Sequence, residues 1–403
     1  MASIPDRNLF LQIAEEFGTP VYVYHAEKII SQYQRLKKAF AACNHRIFYA
    51  AKALTNLQIL KLMRELGAGV DCSSIFEARL ARLAGFEPHE ILYTSNGIHF
   101  SEISEAKEMG IHINIDSLSN LEKFGKTFGG SYPVGIRLRP NILAGGNLKI
   151  STGHEKSKFG ISVQQVEEIL KLQEKYKMVI HTLHIHTGSE IKDVSVFIKG
   201  LQILFDLIPS FPHIKHIDIG GGMKVKYQPE DTETDIEGLG KAVSEAVSAY
   251  NKKKSAPLEI WMEPGKFLVS EAGFFITEVN VLKPTASANF ASVNSGFNHL
   301  IRPMFYDAYH TIENISNPNG PLKNYVVTGN ICETDNFAWD RPLNEIRESD
   351  YLIFHNAGAY GFEMASNFNS RLRPAEVLLR DGLPTLIRRR ENVEDLLRTQ
   401  LDL

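Results

Sequence analysis

The chain has 403 residues, 43% of them hydrophobic and 23% charged, with 44 basic and 47 acidic side chains and a formal net charge of −3. This is the composition of a globular protein with a sizeable core, and a chain of this length is expected to make two domains. Charges of both signs are spread along it, which gives no electrostatic reason to expect a nucleic acid or an anionic lipid surface as partner. Cys43, Cys72 and Cys332 are far apart and match no metal-ligand spacing. Neither a disulfide framework nor a metal site is therefore expected, and a reducing compartment fits. The opening residues lack an apolar signal core, and no apolar run approaches the roughly 20 residues that cross a bilayer, so a cytoplasmic location is expected.

From about residue 47 to residue 263, short apolar runs alternate with helix-like stretches, the pattern of βα units rather than of hairpins. The predicted strands are Ile47 to Ala51, Ala68 to Cys72, Ile91 to Ser95, Ile111 to Ile115, Val134 to Leu138, Val179 to His186, Ile214 to Ile219 and Leu258 to Met262. Between them, Ser74 with Glu77 and Ser162 with Gln165 read as capping boxes, and Leu57, Leu60 and Met63 share one helical face. Asn251-Lys-Lys-Lys254 reads as a solvated helix end. So many alternating units favour an α/β fold of the (β/α)8 TIM-like barrel type over an open doubly wound sheet. After Gly273 the texture changes to alternating stretches and turns: Phe274 to Leu282, Tyr325 to Thr328, Tyr351 to Phe354, and Glu376 to Ile387 broken at Asp381-Gly382. These predict a mostly antiparallel C-terminal β domain.

In such barrels the chemistry sits at the C-terminal ends of the strands. The polar residues collect there: Lys52, Asp71, Asn96, Asp116, Arg137, His186, Gly220 to Gly222 and Glu263. Three of these endings point to pyridoxal 5'-phosphate as cofactor. Lys52 closes an apolar run, and a lysine desolvated in that position can lose its proton and form a Schiff base with an aldehyde. Gly220, Gly221 and Gly222 offer backbone N–H groups to a phosphate after the seventh strand, the usual phosphate position in this fold. Glu263 brings a carboxylate that favours the protonated form of a pyridine nitrogen. Singly, each has a plain reading as a surface lysine, a turn and a salt bridge at a strand end. His184 and His186 share a strand face, and His181 joins them only if a bulge intervenes.

Further segments extend the pattern over nearly the whole chain. In order they are Tyr49-Ala-Ala-Lys52-Ala53, Gly69-Val-Asp71-Cys-Ser-Ser74, Ser151-Thr-Gly-His-Glu-Lys-Ser-Lys-Phe-Gly160, His184-Ile-His-Thr-Gly-Ser189 and Asp218-Ile-Gly-Gly-Gly222. Glu263-Pro-Gly265, Arg302-Pro-Met-Phe-Tyr306, Cys332-Glu333 and Ala357-Gly-Ala-Tyr360-Gly361 complete the set. Together they resemble the fold-type III pyridoxal phosphate-dependent decarboxylases, most closely those members that convert meso-2,6-diaminopimelate to L-lysine and CO2.

The resemblance implies a cofactor-binding barrel over residues 30–273, a β domain of residues 1–29 and 274–403, and a homodimer with shared active sites. It implies that Lys52 carries the cofactor, Glu263 partners the ring nitrogen, His186 stacks on the ring, and Asp71 and Arg137 lie around them. Ser189, Gly220, Gly221, Gly222, Gly265 and Tyr360 are the implied loop and phosphate contacts. Cys332 is implied as the proton donor to the α-carbon, reaching into the partner's site. Arg302 and Tyr306 are implied to grip a distal carboxylate, with Glu333, Lys266 and Tyr360 also facing a diamino-acid substrate.

Two departures from the family pattern bear on substrate affinity. Lys266 stands where the family usually has arginine, and Asp335 precedes Asn336 where an aspartate is usual one residue later. The rival readings are a decarboxylase of ornithine, arginine or lysine, a non-catalytic regulatory paralogue, and a racemase, the last disfavoured by Glu263.

Overall fold

Eight parallel strands close on themselves in the order in which the chain makes them. They are β2 (His45–Ala50), β3 (Gly69–Cys72), β4 (Ile91–Thr94), β5 (His112–Ile115), β6 (Val134–Arg139), β8 (Ile180–Ile185), β9 (His216–Asp218) and β10 (Glu259–Met262). Pairing of β10 with β2 shuts the barrel, and the short β7 (Ile161–Ser162) pairs with the end of β6. The computed structural model describes residues 6–142, 153–228, 230–252 and 257–401. Ser151 and Thr152 of one quoted segment, and Lys253 and Lys254 of the basic run, lie outside the described residues.

The eight expected strands are all present, with ends shifted by one or two residues. They form because they are short apolar runs buried on both faces, as parallel strands between helices must be. Two cap expectations are corrected. Ser74 does accept the Glu77 N–H at 3.2 Å, but the Glu77 carboxylate reaches past it to the Ser73 N–H at 2.6 Å. Ser162 caps a short 3-10 turn, Val163–Gln165, through the Gln164 N–H, and the α-helix begins only at Val166.

Contacts divide the chain into two compact units, one of Ser31–Val225 and Thr232–Leu268, the other of Met1–Ile30, Lys226–Asp231 and Val269–Leu403. The second unit is built on a mostly antiparallel sheet in the order β15, β14, β12, β11, β1, β17, β18, with β16 pairing β11 and β13. Here β1 is Val21–His25, β11 Gly273–Pro284, β12 Asn289–Val293, β13 Ile312–Asn314, β14 Leu322–Thr328, β15 Asn336–Asn344, β16 Tyr351–Phe354, β17 Ala375–Arg380 and β18 Leu383–Arg388. The parallel pairs are β1 with β17 and β12 with β14. Asp381 and Gly382 both adopt positive φ, 52° and 74°, which a tight turn between β17 and β18 requires. The helix Arg7–Phe17 lays Phe10, Ile13 and Ala14 against Val21, Val23, Phe274, Ile276 and Val377 of the sheet.

The floor of the barrel is aromatic. Trp261 of β10 stacks on His216 at 4.1 Å and touches Phe48 at 4.8 Å and His112 at 4.9 Å. His181 joins through a bulge: β6 and β8 are in register at Val134 with Ile180 and then at Gly135 with Thr182, leaving His181 as the extra residue. Its ring lies 5.3 Å from His216. Burial, then the neighbouring histidine rings and Arg46, push His112 down to about 4 and His216 down to about 3. Such rings are neutral in the folded chain and charge on unfolding. Their contribution to stability is full above about pH 6.5 and is lost as pH falls towards the folded values. The expected outcome is a lower melting temperature at pH 5 than at pH 7 by circular dichroism, with a smaller drop in the His112→Phe protein.

Candidate active site

The C-terminal mouth of the barrel gathers charge. Lys52, in the 3-10 turn Ala51–Ala53 that follows β2, places its Nζ 2.8 Å from Oδ2 of Asp71 on the adjacent β3. Glu263, just past β10, is buried, with His184 Nε2 of β8 at 3.4 Å from its Oε2. Asp218 ends β9, and its Oδ1 accepts the Gly220 N–H at 2.8 Å. One ligand atom each from His184, Asp218 and Glu263 falls within a 4.8 Å cluster. Arg137 of β6 is buried with its guanidinium 4.8 Å from the Phe159 ring centre, and it sits in the fields of Glu263, Asp116 and Asp71.

These carboxylates share too little positive charge for all to ionise in the ordinary range. Burial raises Asp71 to about 6, Glu263 adds to the rise, and Lys52 opposes it. Burial also lifts Asp116 to about 6 against the pull of Arg137. Asp218 is driven well above the carboxylate range by burial and by Glu263. Burial works against the ionised form of Glu263 too, but His184 and Lys52 outweigh it and hold this carboxyl well below its usual range. Glu263 is thus the carboxylate that keeps its charge, and Asp218 the one that takes up a proton.

His186 follows β8, and its Nδ1 accepts the Gly221 N–H at 3.2 Å. Burial and Arg137 push the ring down to about 3, so it is neutral near pH 7. With Nδ1 accepting, its proton resides on Nε2. Gly220 and Gly222 adopt positive φ, 68° and 103°. A Cβ on Gly221 would lie 2.2 Å from the Glu263 carbonyl oxygen, so this turn needs glycine for close approach as well as for conformation. Gly265 packs against Ala50 and Ala53 beside Lys52, and Ser189 lies in the partly exposed loop after His186. Lys266 is buried and paired at 2.5 Å with Glu190, a residue in the left-handed region at φ 63°.

The other expected residues belong to the second unit. Arg302 is buried at the start of the short helix Arg302–Tyr306, its Nη2 donates to Tyr227 Oη at 3.1 Å, and its guanidinium lies 5.9 Å from the Tyr306 ring centre. Among the described residues its Nε has no hydrogen-bond partner. Cys332 and Glu333 are exposed on the loop before β15, and the neighbouring Asp335 is buried within that loop. Tyr360 holds a φ of 57°, costly for a bulky side chain. Arg341 is committed elsewhere, donating to the His310 carbonyl at 2.7 Å and lying 3.9 Å from the Tyr309 ring centre.

Sequence reasoning left three partners unassigned: the contact of His184 with Glu263, the pairing of Glu190 with Lys266, and the hold of Tyr227 on Arg302. The first had a signal, because His184 alternates with His186 and so faces the same interior. The other two join residues far apart in sequence, with nothing local to mark them.

The residues fit pyridoxal phosphate. Among the described residues, Glu263 Oε1 is a buried acceptor with no hydrogen-bond partner, as a pyridinium N–H would require. A family model described as "Pyridoxal-dependent decarboxylase, pyridoxal binding domain" matches residues 26–270. The chain belongs to the pyridoxal-dependent decarboxylases.

Within this family it is 36% identical to a diaminopimelate decarboxylase of Methanothermobacter thermautotrophicus, over 97% of this chain and 93% of that one. The crystal structure of diaminopimelate decarboxylase from Helicobacter pylori complexed with L-lysine superposes with a TM-score of 0.89, at 32% identity and over 96% and 98% of the two chains. A lysine/ornithine decarboxylase of Vibrio vulnificus complexed with putrescine shares the fold, with a TM-score of 0.82 at 23% identity over 94% and 99%. The Gly221→Ala protein is expected to bind pyridoxal phosphate about tenfold more weakly, as overpacking of ~1–3 kcal/mol implies. Titration of cofactor absorbance checks this, with circular dichroism confirming an intact fold.

Proposed function

We propose that this chain is a cytoplasmic, homodimeric decarboxylase that converts meso-2,6-diaminopimelate to L-lysine and CO2, the last step of lysine biosynthesis. The observation that carries the substrate assignment is Arg302, a buried guanidinium with a spare Nε donor among the described residues, beside the Tyr306 ring. A planar fork of this kind suits a carboxylate, and the distal carboxylate of diaminopimelate is one that ornithine, arginine and lysine lack. The likeness to diaminopimelate decarboxylases over nearly the full length supports the same substrate.

The expected site residues divide the work. When bound, pyridoxal phosphate supplies an electron sink for the pair left at the α-carbon as CO2 departs. Lys52 holds the cofactor and moves a proton, with Asp71 at 2.8 Å orienting its amine. Glu263 keeps a proton on the ring nitrogen because His184 holds it ionised. His186, neutral and fixed by the Gly221 N–H, offers a flat face to the ring. Gly220, Gly221, Gly222, Gly265, Ser189 and Tyr360 contact the phosphate and its loop, and Arg137 and Asp71 balance charge beside it. Arg302, Tyr306, Tyr360 and Lys266 face the substrate, with Glu333 selecting for its second amine. Cys332 of one protomer delivers a proton to the α-carbon in its partner, so each site needs both chains.

The test is CO2 release with added pyridoxal phosphate, comparing meso-diaminopimelate with ornithine, arginine and lysine. A clear preference for meso-diaminopimelate is expected, and a preference for any of the other three would overturn the role of Arg302. Lys52→Ala should abolish turnover. Mixing the Lys52→Ala and Cys332→Ala proteins under conditions of subunit exchange should restore part of the activity, and no recovery would count against shared sites.

A further inference from the structure

Cys332 does not stand alone on its loop. Asn369, distant in sequence, gives both ends of its side-chain amide to this one residue. Its Oδ1 accepts the Cys332 backbone N–H at 3.0 Å, and its Nδ2 donates to Cys332 Sγ at 3.1 Å. The orientation of the amide is fixed by chemistry: a backbone N–H can only donate, so the atom facing it must be the oxygen and the NH2 end must face the sulfur.

The turn that carries Asn369 is built for this contact. Asn369 and the next residue, Ser370, both lie in the left-handed region, at φ 58° and 54°. Asparagine tolerates that conformation better than most side chains. Arg371 Nη2 donates to the Asn330 carbonyl at 2.9 Å, and the Phe368 ring stacks on Phe297 with centroids 5.6 Å apart. Arg371 thus ties the turn of Asn369 to the segment that leads into Cys332, and Phe368 anchors the same turn on Phe297.

We propose that Asn369 is a positioning residue for Cys332, holding its sulfur in one rotamer and stabilising the charge left there when the thiol gives up its proton. This rests on the reading of Cys332 as the acid that protonates the α-carbon. An exposed thiol without a partner samples several staggered wells, whereas the two-point contact selects one. Because the sulfur accepts from Nδ2, its own S–H hydrogen is not used by Asn369 and remains available. In the protonation step the S–H bond breaks as the Cα–H bond forms, the electron pair at the α-carbon takes the proton, and the S–H pair stays on sulfur. The Nδ2–H already aimed at that sulfur then bonds to an anion, where a hydrogen bond is stronger than to a neutral atom.

Two variants separate the two bonds. Asn369→Gly keeps the left-handed backbone and removes both. Asn369→Asp keeps an acceptor for the Cys332 N–H but replaces the donor with a carboxylate oxygen beside the sulfur. On the holoenzyme, one readout is the rate of iodoacetamide alkylation at Cys332, resolved by mass spectrometry from Cys43 and from the buried Cys72. The other is the split between kcat and KM with meso-diaminopimelate. Alkylation is expected to slow in the order wild type, Asn369→Gly, Asn369→Asp, since only the donor favours anionic sulfur. In the same order kcat is expected to fall, by about tenfold at Asn369→Gly for the loss of one hydrogen bond to a charged group, with KM within about twofold. A merely structural anchor would give the order wild type, Asn369→Asp, Asn369→Gly, because Asn369→Asp retains the backbone bond. That order, or wild-type behaviour in both variants, would overturn the proposal. If the wild-type enzyme releases no CO2 from meso-diaminopimelate, the functional reading fails on its own, and the alkylation order still decides whether Asn369 governs Cys332.

Discussion

The site depends on keeping Glu263 ionised inside the barrel mouth. A buried carboxylate ordinarily neutralises itself by taking a proton, and a neutral acid here would lack the charge that favours a protonated pyridine nitrogen. His184 on β8 lies 3.4 Å away, Lys52 adds its field, and burial together with the charge of Glu263 raises the proton affinities of Asp218 and Asp71. The barrel makes this possible because each of these residues comes from the end of a different strand: Lys52 from β2, Asp71 from β3, His184 from β8, Asp218 from β9 and Glu263 from β10. A small slip of any one strand would alter the distances that decide which carboxyl holds the proton.

That dependence explains the remaining detail of the mouth. The glycine turn after β9 cannot carry side chains, because Gly221 passes against the carbonyl of Glu263 itself and its N–H fixes the tautomer of His186. Lys266, which keeps the positive charge of the family's arginine without its fork, is matched by Glu190. The pair brings a cation to the strand end while adding no net charge to a mouth already crowded with carboxylates.

Much of this was legible in the sequence, and the limits have physical causes. The eight barrel strands announce themselves as apolar runs ending on polar residues, because burial on both faces excludes polar side chains until the chain emerges at the mouth. The hairpin of β17 and β18 was marked by Asp381-Gly382, since few other residue pairs supply two positive φ angles. By contrast β12, β13 and β15 carried no such signal, as short or half-exposed strands are defined by their neighbours rather than by their own composition, whereas β1 did carry one in its four β-branched or aromatic residues before His25. The gathering of Lys52, Glu263 and the glycines at the barrel mouth was readable because each lies just past a strand end. The contact of Asn369 with Cys332 was not: it is made across 37 positions by a backbone shape that sequence does not display.

The second unit carries a cost in time. Strand β1 sits between β11 and β17, so Val21 to His25 are paired on both edges by segments made roughly 250 and 350 positions later. As the chain leaves the ribosome, this strand emerges first, apolar and with both edges bare, and waits while the whole barrel is synthesised. Non-local pairings of this kind fold slowly, and unpaired apolar strands are where aggregation begins. One five-residue strand is therefore the part of this unit that stays bare longest, open to wrong pairing until its partners arrive.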